Sequence, residues 1–248
     1  MGVGAFNTAG KGKLTYIQGD LKNSSTQIEH ETSNQLYLWS VIRSDIEYAP
    51  YLRLEFSQMR TEGRSKIHID GTSFIKDIID IIENTGLATI NDTYYDSILS
   101  QQNYEAFLFY ELVKQGEWPQ LNMGAGVKKF SFDYLVNNVA GEGTSFYASE
   151  GDIIPMIYAS TRYDIFRSIT DFKTAIEADG KIYLFGDSDI YDYQVKMDFM
   201  GAYNKDTDLG VEVGYRYSYF DIKGGDVDVG AGSMTYSGIY VGFIAHFR

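Results

Sequence analysis

The feature that most constrains this chain is the alternation of apolar residues with small or polar ones. In LGVEVGYRYSY, which begins at Leu209, leucine, valine and tyrosine occupy every second position, and Gly210, Glu212, Gly214 and Arg216 lie between them. Successive side chains of a β-strand point to opposite faces, so this period of two predicts strands with one apolar and one polar face. The same alternation recurs in segments that begin at Leu52, Tyr104, Leu121, Phe172, Tyr191 and Ile239.

The segments between the predicted strands alternate in length. Short gaps lie near 47–50, 115–119, 164–167 and 204–208. Longer polar gaps lie near 11–33, 62–102, 134–151 and 222–232, with a shorter acidic one near 186–190. Together with a weak first strand around GVGAFNTA, this spacing predicts an all-β fold of about ten antiparallel strands in an up-and-down meander, over a single domain of residues 1–248.

The longest gap contains the segment SFIKDIIDIIENTG, whose apolar residues recur at helical spacing. Phe74, Ile78 and Ile82 fall on one face of a helix. We therefore expect a short amphipathic helix over Ser73–Asn84 in a long extracellular loop. Its apolar face would need burial, which packing over the barrel mouth, contact with headgroups or contact with a partner would provide.

Two architectures explain the alternation, a soluble lipocalin-like barrel and a transmembrane barrel whose apolar face meets lipid. Strands near the length of about 9–11 residues that crosses a bilayer favour the second. Glycine on the polar face, which suits a crowded lumen, is found at Gly124, Gly126, Gly210, Gly214, Gly238 and Gly242. Aromatic residues near the strand ends, as in interfacial girdles, are Tyr191, Tyr193, Tyr203, Tyr217, Tyr219 and Phe247.

Composition excludes several other classes of protein. No run of 18 apolar residues predicts a transmembrane helix. The net charge of -13, without a basic patch, argues against a nucleic-acid partner. The absence of cysteine excludes disulfides and cysteine-ligated metals. No signal peptide precedes the first strand, so an exported form is expected to be the mature protein.

Four stretches of the chain, NQLYLWSVIRSDIEYAPYLRLEF, LFYELV, LNMGAGVKKF and MTYSGIYVGFIAHFR, carry a resemblance that covers most of its length. They resemble a family of Gram-negative outer-membrane β-barrel proteins of unassigned function. NQLYLWSVIRSDIEYAPYLRLEF resembles that family's aromatic strand, proline-containing turn and returning strand, although Tyr51 stands where asparagine is usual. LFYELV and LNMGAGVKKF resemble the next hairpin. The C-terminal MTYSGIYVGFIAHFR resembles the assembly signal of such barrels, except that Arg248 follows the terminal aromatic residue. The resemblance implies a location in the Gram-negative outer membrane, with outer-membrane lipid and the barrel-assembly machinery as partners, and it implies no activity.

Charged residues on the polar faces are the candidates for lining the lumen. They are Arg53, Glu55, Glu105, Glu111, Lys128, Lys173, Glu177, Lys196, Asp198, Glu212 and Arg216. Their signs nearly balance, and unpaired charges in a narrow space of low dielectric are unfavourable. These residues would form either an ion-paired plug or a narrow porin-like pore whose charges select a small solute.

Histidine is the residue type from which an active site would be expected. His30 lies in the first long gap, His246 lies near the turn end, and His68 shares a strand face with Asp70 in KIHID. A histidine–carboxylate pair could activate water, but no nucleophile is placed by the sequence. A loop-end hydrolase is therefore an alternative, and the sequence favours a barrel that is not an enzyme.

Two acidic clusters have oxygen ligands of the kind that calcium prefers. They are DSDIYD, with Asp187, Asp189 and Asp192, and GGDVDVG, with Asp226 and Asp228. Neither follows a complete calcium-loop pattern, so we predict hairpin turns there, without a metal or cofactor. The sequence thus favours a narrow channel or small-molecule transport barrel, with a structural or adhesive barrel that acts through its acidic loops as the alternative.

Overall fold

The computed structural model describes ten separate stretches of the 248-residue chain. They are residues 1–16, 24–43, 46, 48–69, 94–114, 118–137, 144–146, 150–167, 172–222 and 232–247. Every regular element within these stretches is a strand. In chain order they are β1 (Gly2–Tyr16), β2 (Ser24–Ile42), β3 (Tyr51–Ile69), β4 (Tyr94–Val113), β5 (Gln120–Asn137), β6 (Thr144–Phe146), β7 (Glu150–Arg167), β8 (Phe172–Ile182), β9 (Asp189–Asn204), β10 (Thr207–Ile222) and β11 (Gly232–Phe247).

The ten long strands form a closed antiparallel barrel. Each pairs with its neighbours along the chain, and β1 closes the ring by pairing with β11, from Gly2 opposite Ile244 to Leu14 opposite Gly232. The three-residue β6 pairs with the loop end of β5, beyond the part of β5 that pairs with β7. The predicted all-β, up-and-down barrel of about ten strands is therefore confirmed.

Most strands are longer than the sequence pattern predicts. β2 and β3 have 19 residues each and β4 has 20. The predicted gaps at 11–33 and 62–102 are accordingly too wide. In TQIEHETSN, within β2, Ile28 is the only apolar residue, so the alternation that marks a lipid-facing strand disappears although the backbone pairing continues. The predicted helix Ser73–Asn84 lies outside the described residues, as does Arg248.

The outer face of the barrel carries exposed apolar side chains. Val195 on β9 is 51% exposed, and Val241 and Phe243 on β11 are 52% and 71% exposed. A band of this kind is unfavourable in water and suits the hydrocarbon of a bilayer. No helix in the part of the chain that the structure describes is long and apolar enough to cross a membrane.

Tyrosines stack on the outer face towards the loop end of β9 and β10. Tyr193 and Tyr217 face each other across the two strands with ring centroids 4.9 Å apart, and so do Tyr191 and Tyr219. Amphipathic rings are enriched where a barrel passes from hydrocarbon into headgroups. The position and composition of this tyrosine stack are those expected for part of an aromatic girdle.

Glycines on the inner face make room for aromatic rings rather than for water. A side chain at Gly126 would collide with Phe107, one at Gly214 with Tyr240, and one at Gly2 with Trp39. Each of these rings packs directly on a glycine of the neighbouring strand, a cross-strand pairing of aromatic residue and glycine that is known from β-sheets. The interior is thus filled by large side chains.

Candidate functional site

The structure places most of the predicted lumen-lining residues on the buried face of the barrel. Those with less than 9% exposure are Arg53, Glu55, Glu105, Lys128, Lys196, Asp198, Glu212 and Arg216. The side chain of Glu177 is 13% exposed. Lys173 is 42% exposed at the turn end, where its Nζ lies 2.7 Å from Asp208 Oδ2. Glu111 is half-buried near the same end.

Glu105 is the centre of the charge cluster nearest the loop end. Its Oε1 lies 2.9 Å from Lys128 Nζ and 3.4 Å from Arg216 Nη2, and its Oε2 lies 2.6 Å from Lys181 Nζ. Asp192 completes this cluster, since it contacts Lys128 at 3.3 Å and accepts a 2.8 Å hydrogen bond from Arg216 Nε. Five strands supply these residues, so the cluster crosses the lumen.

Arg53 carries the contacts towards the turn end. Glu55 lies 2.5 Å from Lys181 Nζ and also pairs with Arg53 Nε. The Arg53 guanidinium lies 3.4 Å from Asp179 Oδ2 and 3.3 Å from Glu177 Oε1. Buried ion pairs therefore connect the loop-end cluster around Glu105 with a second cluster nearer the turn end, which contains Glu177.

The turn-end cluster is built around Glu177. Its carboxylate lies 3.3 Å from Lys196 Nζ and 3.0 Å from Arg162 Nη1. Arg162 also lies 2.5 Å from Asp198, and Lys196 lies 3.6 Å from Glu212. Further support comes from Trp39 of β2, whose Nε1 donates a 2.7 Å hydrogen bond to Glu212 and whose ring lies 4.3 Å from Lys196 Nζ.

We call this connected set the lumen network. It consists of Arg53, Glu55, Glu105, Lys128, Arg162, Glu177, Asp179, Lys181, Asp192, Lys196, Asp198, Glu212 and Arg216. Burying so many charges is tolerable only when each has a partner, and here every member has at least one within 4 Å. The arrangement cross-links opposite walls of the barrel.

Four members of the lumen network were not among the predicted lumen residues. Asp179 and Lys181 continue the parity of Glu177 along β8, which the sequence pattern ended at 178. Arg162 lies on β7, where the sequence does not show which face is polar. Asp192 has the polar-face parity of Lys196 and Asp198, and it is also part of the acidic cluster DSDIYD, for which a hairpin turn is predicted. Extension of the alternation by four residues would have identified the first two.

Aromatic rings fill the lumen beside the charges. Tyr158 packs against Phe107 and Phe109, with ring centroids 5.3 and 5.4 Å away, and accepts a 3.1 Å hydrogen bond from Arg53 Nη1. The ammonium group of Lys181 lies 5.5 Å from the Phe107 ring. Rings and charges therefore occupy the same cross-section of the barrel.

A small cavity lies on the loop side of the lumen network, and we call it the loop-end cavity. Its volume is about 30 Å³, and a single water needs roughly 10–15 Å³ by the same measure. It is lined by Gln35, Ser57, Met59, Gln101, Asn103, Arg216, Ser218, Phe220 and Tyr236. Its walls combine amide and hydroxyl groups with apolar side chains.

For His68 and Asp70, the predicted pair of the loop-end hydrolase, the structure describes only the backbone of His68. His68 pairs with Ser25 in the backbone of β3 and β2, and Asp70 lies outside the described residues. His246 lies at the turn end, opposite Asp208. The loop-end hydrolase therefore stays a hypothesis from the sequence.

Of the two acidic clusters in the sequence, the structure describes DSDIYD but not the aspartates of GGDVDVG. Asp192 is buried in ion pairs with Arg216 and Lys128 rather than exposed in a turn. Asp226 and Asp228 lie outside the described residues. Among the described residues, no group of three or more histidine, aspartate and glutamate side chains is placed to hold a metal ion.

The sequence of this chain matches no known protein family and no curated protein. Among solved structures, it is similar to the outer membrane protease OmpT from Escherichia coli, with 10% identity, a TM-score of 0.52 and coverage of 100% of this chain and 95% of that one. A FadL homologue from Pseudomonas aeruginosa aligns at 10% identity with a TM-score of 0.33, covering 99% of this chain and 64% of that one. The transport unit of the autotransporter AIDA-I from Escherichia coli aligns at 8% identity with a TM-score of 0.37, covering 100% and 90%. The chain has the fold of a Gram-negative outer-membrane β-barrel protein.

Proposed function

We propose that this chain is a non-enzymatic integral barrel of the Gram-negative outer membrane, closed by an ion-paired plug and active at its loop end. The observation that carries the proposal is the continuity of the lumen network. From Arg216 and Asp192 to Arg162 and Asp198, one ion pair follows another between opposite walls. In this proposal the outer face contacts outer-membrane lipid, and the C-terminal strand is recognised by the barrel-assembly machinery.

The energetics of buried charges favour a plug over a pore. A solute that passed Glu105 would have to displace contacts with Lys128, Lys181 and Arg216. Removing one partner of a buried pair costs about 3–5 kcal/mol because the remaining charge is left uncompensated. Conduction needs sites that release an ion as readily as they bind it, and a side chain held by three partners does not yield readily.

A narrow channel or small-molecule transport barrel is the second candidate. The polarity of the lumen favours it, because charged side chains of both signs line the path that a small solute would take. It would require the network to rearrange and the rings of Phe107 and Tyr158 to move aside.

Planar bilayers distinguish the two candidates. We expect no stepwise conductance from the wild-type protein at any voltage or salt concentration that the bilayer withstands. Reproducible unitary steps from wild-type protein would contradict the plug and support the channel.

Thiol labelling provides an independent test, because the chain has no cysteine of its own. Ser160 lies opposite Asp179 of the lumen network and is buried. With the barrel oriented in vesicles, a membrane-impermeant thiol reagent on the loop side should leave Ser160→Cys unmodified until the protein is unfolded. Modification of Ser160→Cys in the folded barrel would show an open lumen.

A further inference from the structure

We propose that the loop-end cavity binds an uncharged polar group, a hydroxyl or a primary carboxamide, at the end of a molecule that enters from the loop side. The inference rests on the proposed function in one respect, that the loop end is the working end of the barrel. Within the described part of the chain, the lining residues all belong to the strands β2, β3, β4, β10 and β11.

One wall of the cavity is polar and already ordered. Gln101 Nε2 donates a 2.7 Å hydrogen bond to Asn103 Oδ1, and Asn103 Nδ2 donates a 3.0 Å bond to Ser57 Oγ. This chain of amide and hydroxyl groups fixes each side chain in one orientation. Buried groups with fixed orientation give a small polar ligand its specificity.

The opposite wall is apolar and adaptable. Phe220 lies between Phe130 and Tyr236, with ring centroids 5.8 and 6.2 Å away. Met59 lies beside these rings, and Tyr236 donates a 3.1 Å hydrogen bond to Met234 Sδ. Methionine side chains are flexible and fill irregular spaces, so Met59, which lines the cavity from β3, can adjust to the apolar part of a ligand.

The charge balance at the floor of the cavity selects an uncharged group. Among the lining residues that the structure describes, Arg216 is the only charged one, and its guanidinium is held by Asp192 and Glu105. An anion would have to compete with both carboxylates, and a cation would meet a guanidinium. A neutral donor or acceptor avoids the desolvation of an uncompensated ion.

The size of the cavity limits the ligand to its terminal group. About 30 Å³ corresponds to roughly two waters at 10–15 Å³ each. A hydroxyl or an amide of three heavy atoms is of this size. Formamide is therefore a suitable probe, and formate is a control of the same shape that carries a negative charge.

The experiment uses the full chain folded in detergent, with methionine methyl groups labelled with ¹³C. We expect formamide to shift the methyl resonance of Met59 saturably while that of Met123, which is 46% exposed on the outer face, stays constant. Formate should produce no saturable shift. A response to formate equal to or stronger than the response to formamide would overturn the proposal, and so would the absence of a saturable response to formamide.

The chain offers a matched control for substitution. Near the turn end, Gln120 donates to Asn122 at 3.0 Å and Asn122 donates to Ser160 at 3.0 Å, which repeats the arrangement of the cavity wall. Asn103→Leu should abolish the formamide response, and Asn122→Leu should keep it. If Asn103→Leu does not fold, Ser218→Ala replaces it and should weaken the response. Retention of the full response in the cavity variants would contradict the site.

The outcomes for the site and for the proposed function are separable. A barrel that conducts yet still binds formamide at Met59 would disprove the plug and leave the site. A barrel that does not conduct and shows no response to formamide would keep the plug and disprove the site.

Discussion

The Oε2 atom of Glu105 lies 2.6 Å from Lys181 Nζ, and each of the two side chains is 1% exposed. The two residues belong to β4 and β8, which are not neighbours in the barrel. β5 and β7 lie between them in the ring, so the contact is made through the lumen and not along the sheet. In a sheet that is already closed by backbone pairing, the contact adds a side-chain link between two strands that do not pair with each other.

Glu105→Gln should destabilise the barrel strongly, by about 3–5 kcal/mol, because three buried cations lose their shared carboxylate. Urea unfolding in lipid vesicles measures this loss. The control is Arg60→Met, which removes an exposed pair whose side chains are 62% and 65% exposed. Exposed pairs contribute about 0–1 kcal/mol, so equal losses for the two variants would show that the lumen network does not stabilise the barrel.

Lys181→Met should be less destabilising than Glu105→Gln. Its two carboxylate partners keep other cations, because Glu55 still pairs with Arg53 and Glu105 with Lys128. The double variant should lose less stability than the sum of the two single variants, since contacting residues couple by about 0.5–3 kcal/mol. Strict additivity in the same unfolding measurement would exclude a direct interaction.

Gly2→Val should displace Trp39 from its position in the lumen. A β-carbon at Gly2 would lie 2.5 Å from Trp39 Nε1, the atom that donates to Glu212. With the exposed Trp118 replaced by phenylalanine, Trp39 becomes the only tryptophan, and its emission should shift to longer wavelength. Gly180→Val is the control, since a β-carbon there meets no atom within 4 Å. An unchanged spectrum for Gly2→Val would contradict the packing of Trp39 against Gly2.

Val213→Arg should destabilise the barrel through its outer face. Val213 is 41% exposed between other apolar outward residues, and an arginine at the middle of a bilayer costs about 2–4 kcal/mol. Gln58→Arg, at an exposed polar position nearer the loop end, is the matched control and should have little effect.

The wild-type protein should also need detergent and show heat-modifiable mobility on gels. Solubility without detergent would refute the lipid-facing assignment.

His68→Ala tests the alternative of a loop-end hydrolase. We expect the wild-type protein to cleave none of a panel of lipids and peptides, and the variant to behave identically. Cleavage by the wild type that His68→Ala abolishes would overturn the non-enzymatic proposal. A cleavage that persists in the variant would point to a contaminating hydrolase or to other residues.

The sequence is informative where one face of a strand meets apolar surroundings. The parity of Leu209 and Val211 predicts both the strand and the face that carries Glu212, because lipid selects apolar residues at every second position. Alternation weakens where strands extend past this band, so the bounds of β2 and β3 could not be predicted. Pairings such as Lys181 with Glu105 could not be predicted either, since they depend on which strands face each other across the closed ring.

The shared contacts of Glu105 have a consequence for how such a sequence can vary. Lys128, Lys181 and Arg216 all contact this one carboxylate. Loss of the charge at any of the four positions leaves a buried charge at the others with one partner fewer. The outward valines and leucines, by contrast, can be replaced by other apolar residues without such an effect. In an alignment of homologues, these four positions should therefore change together or not at all, although they come from four different strands.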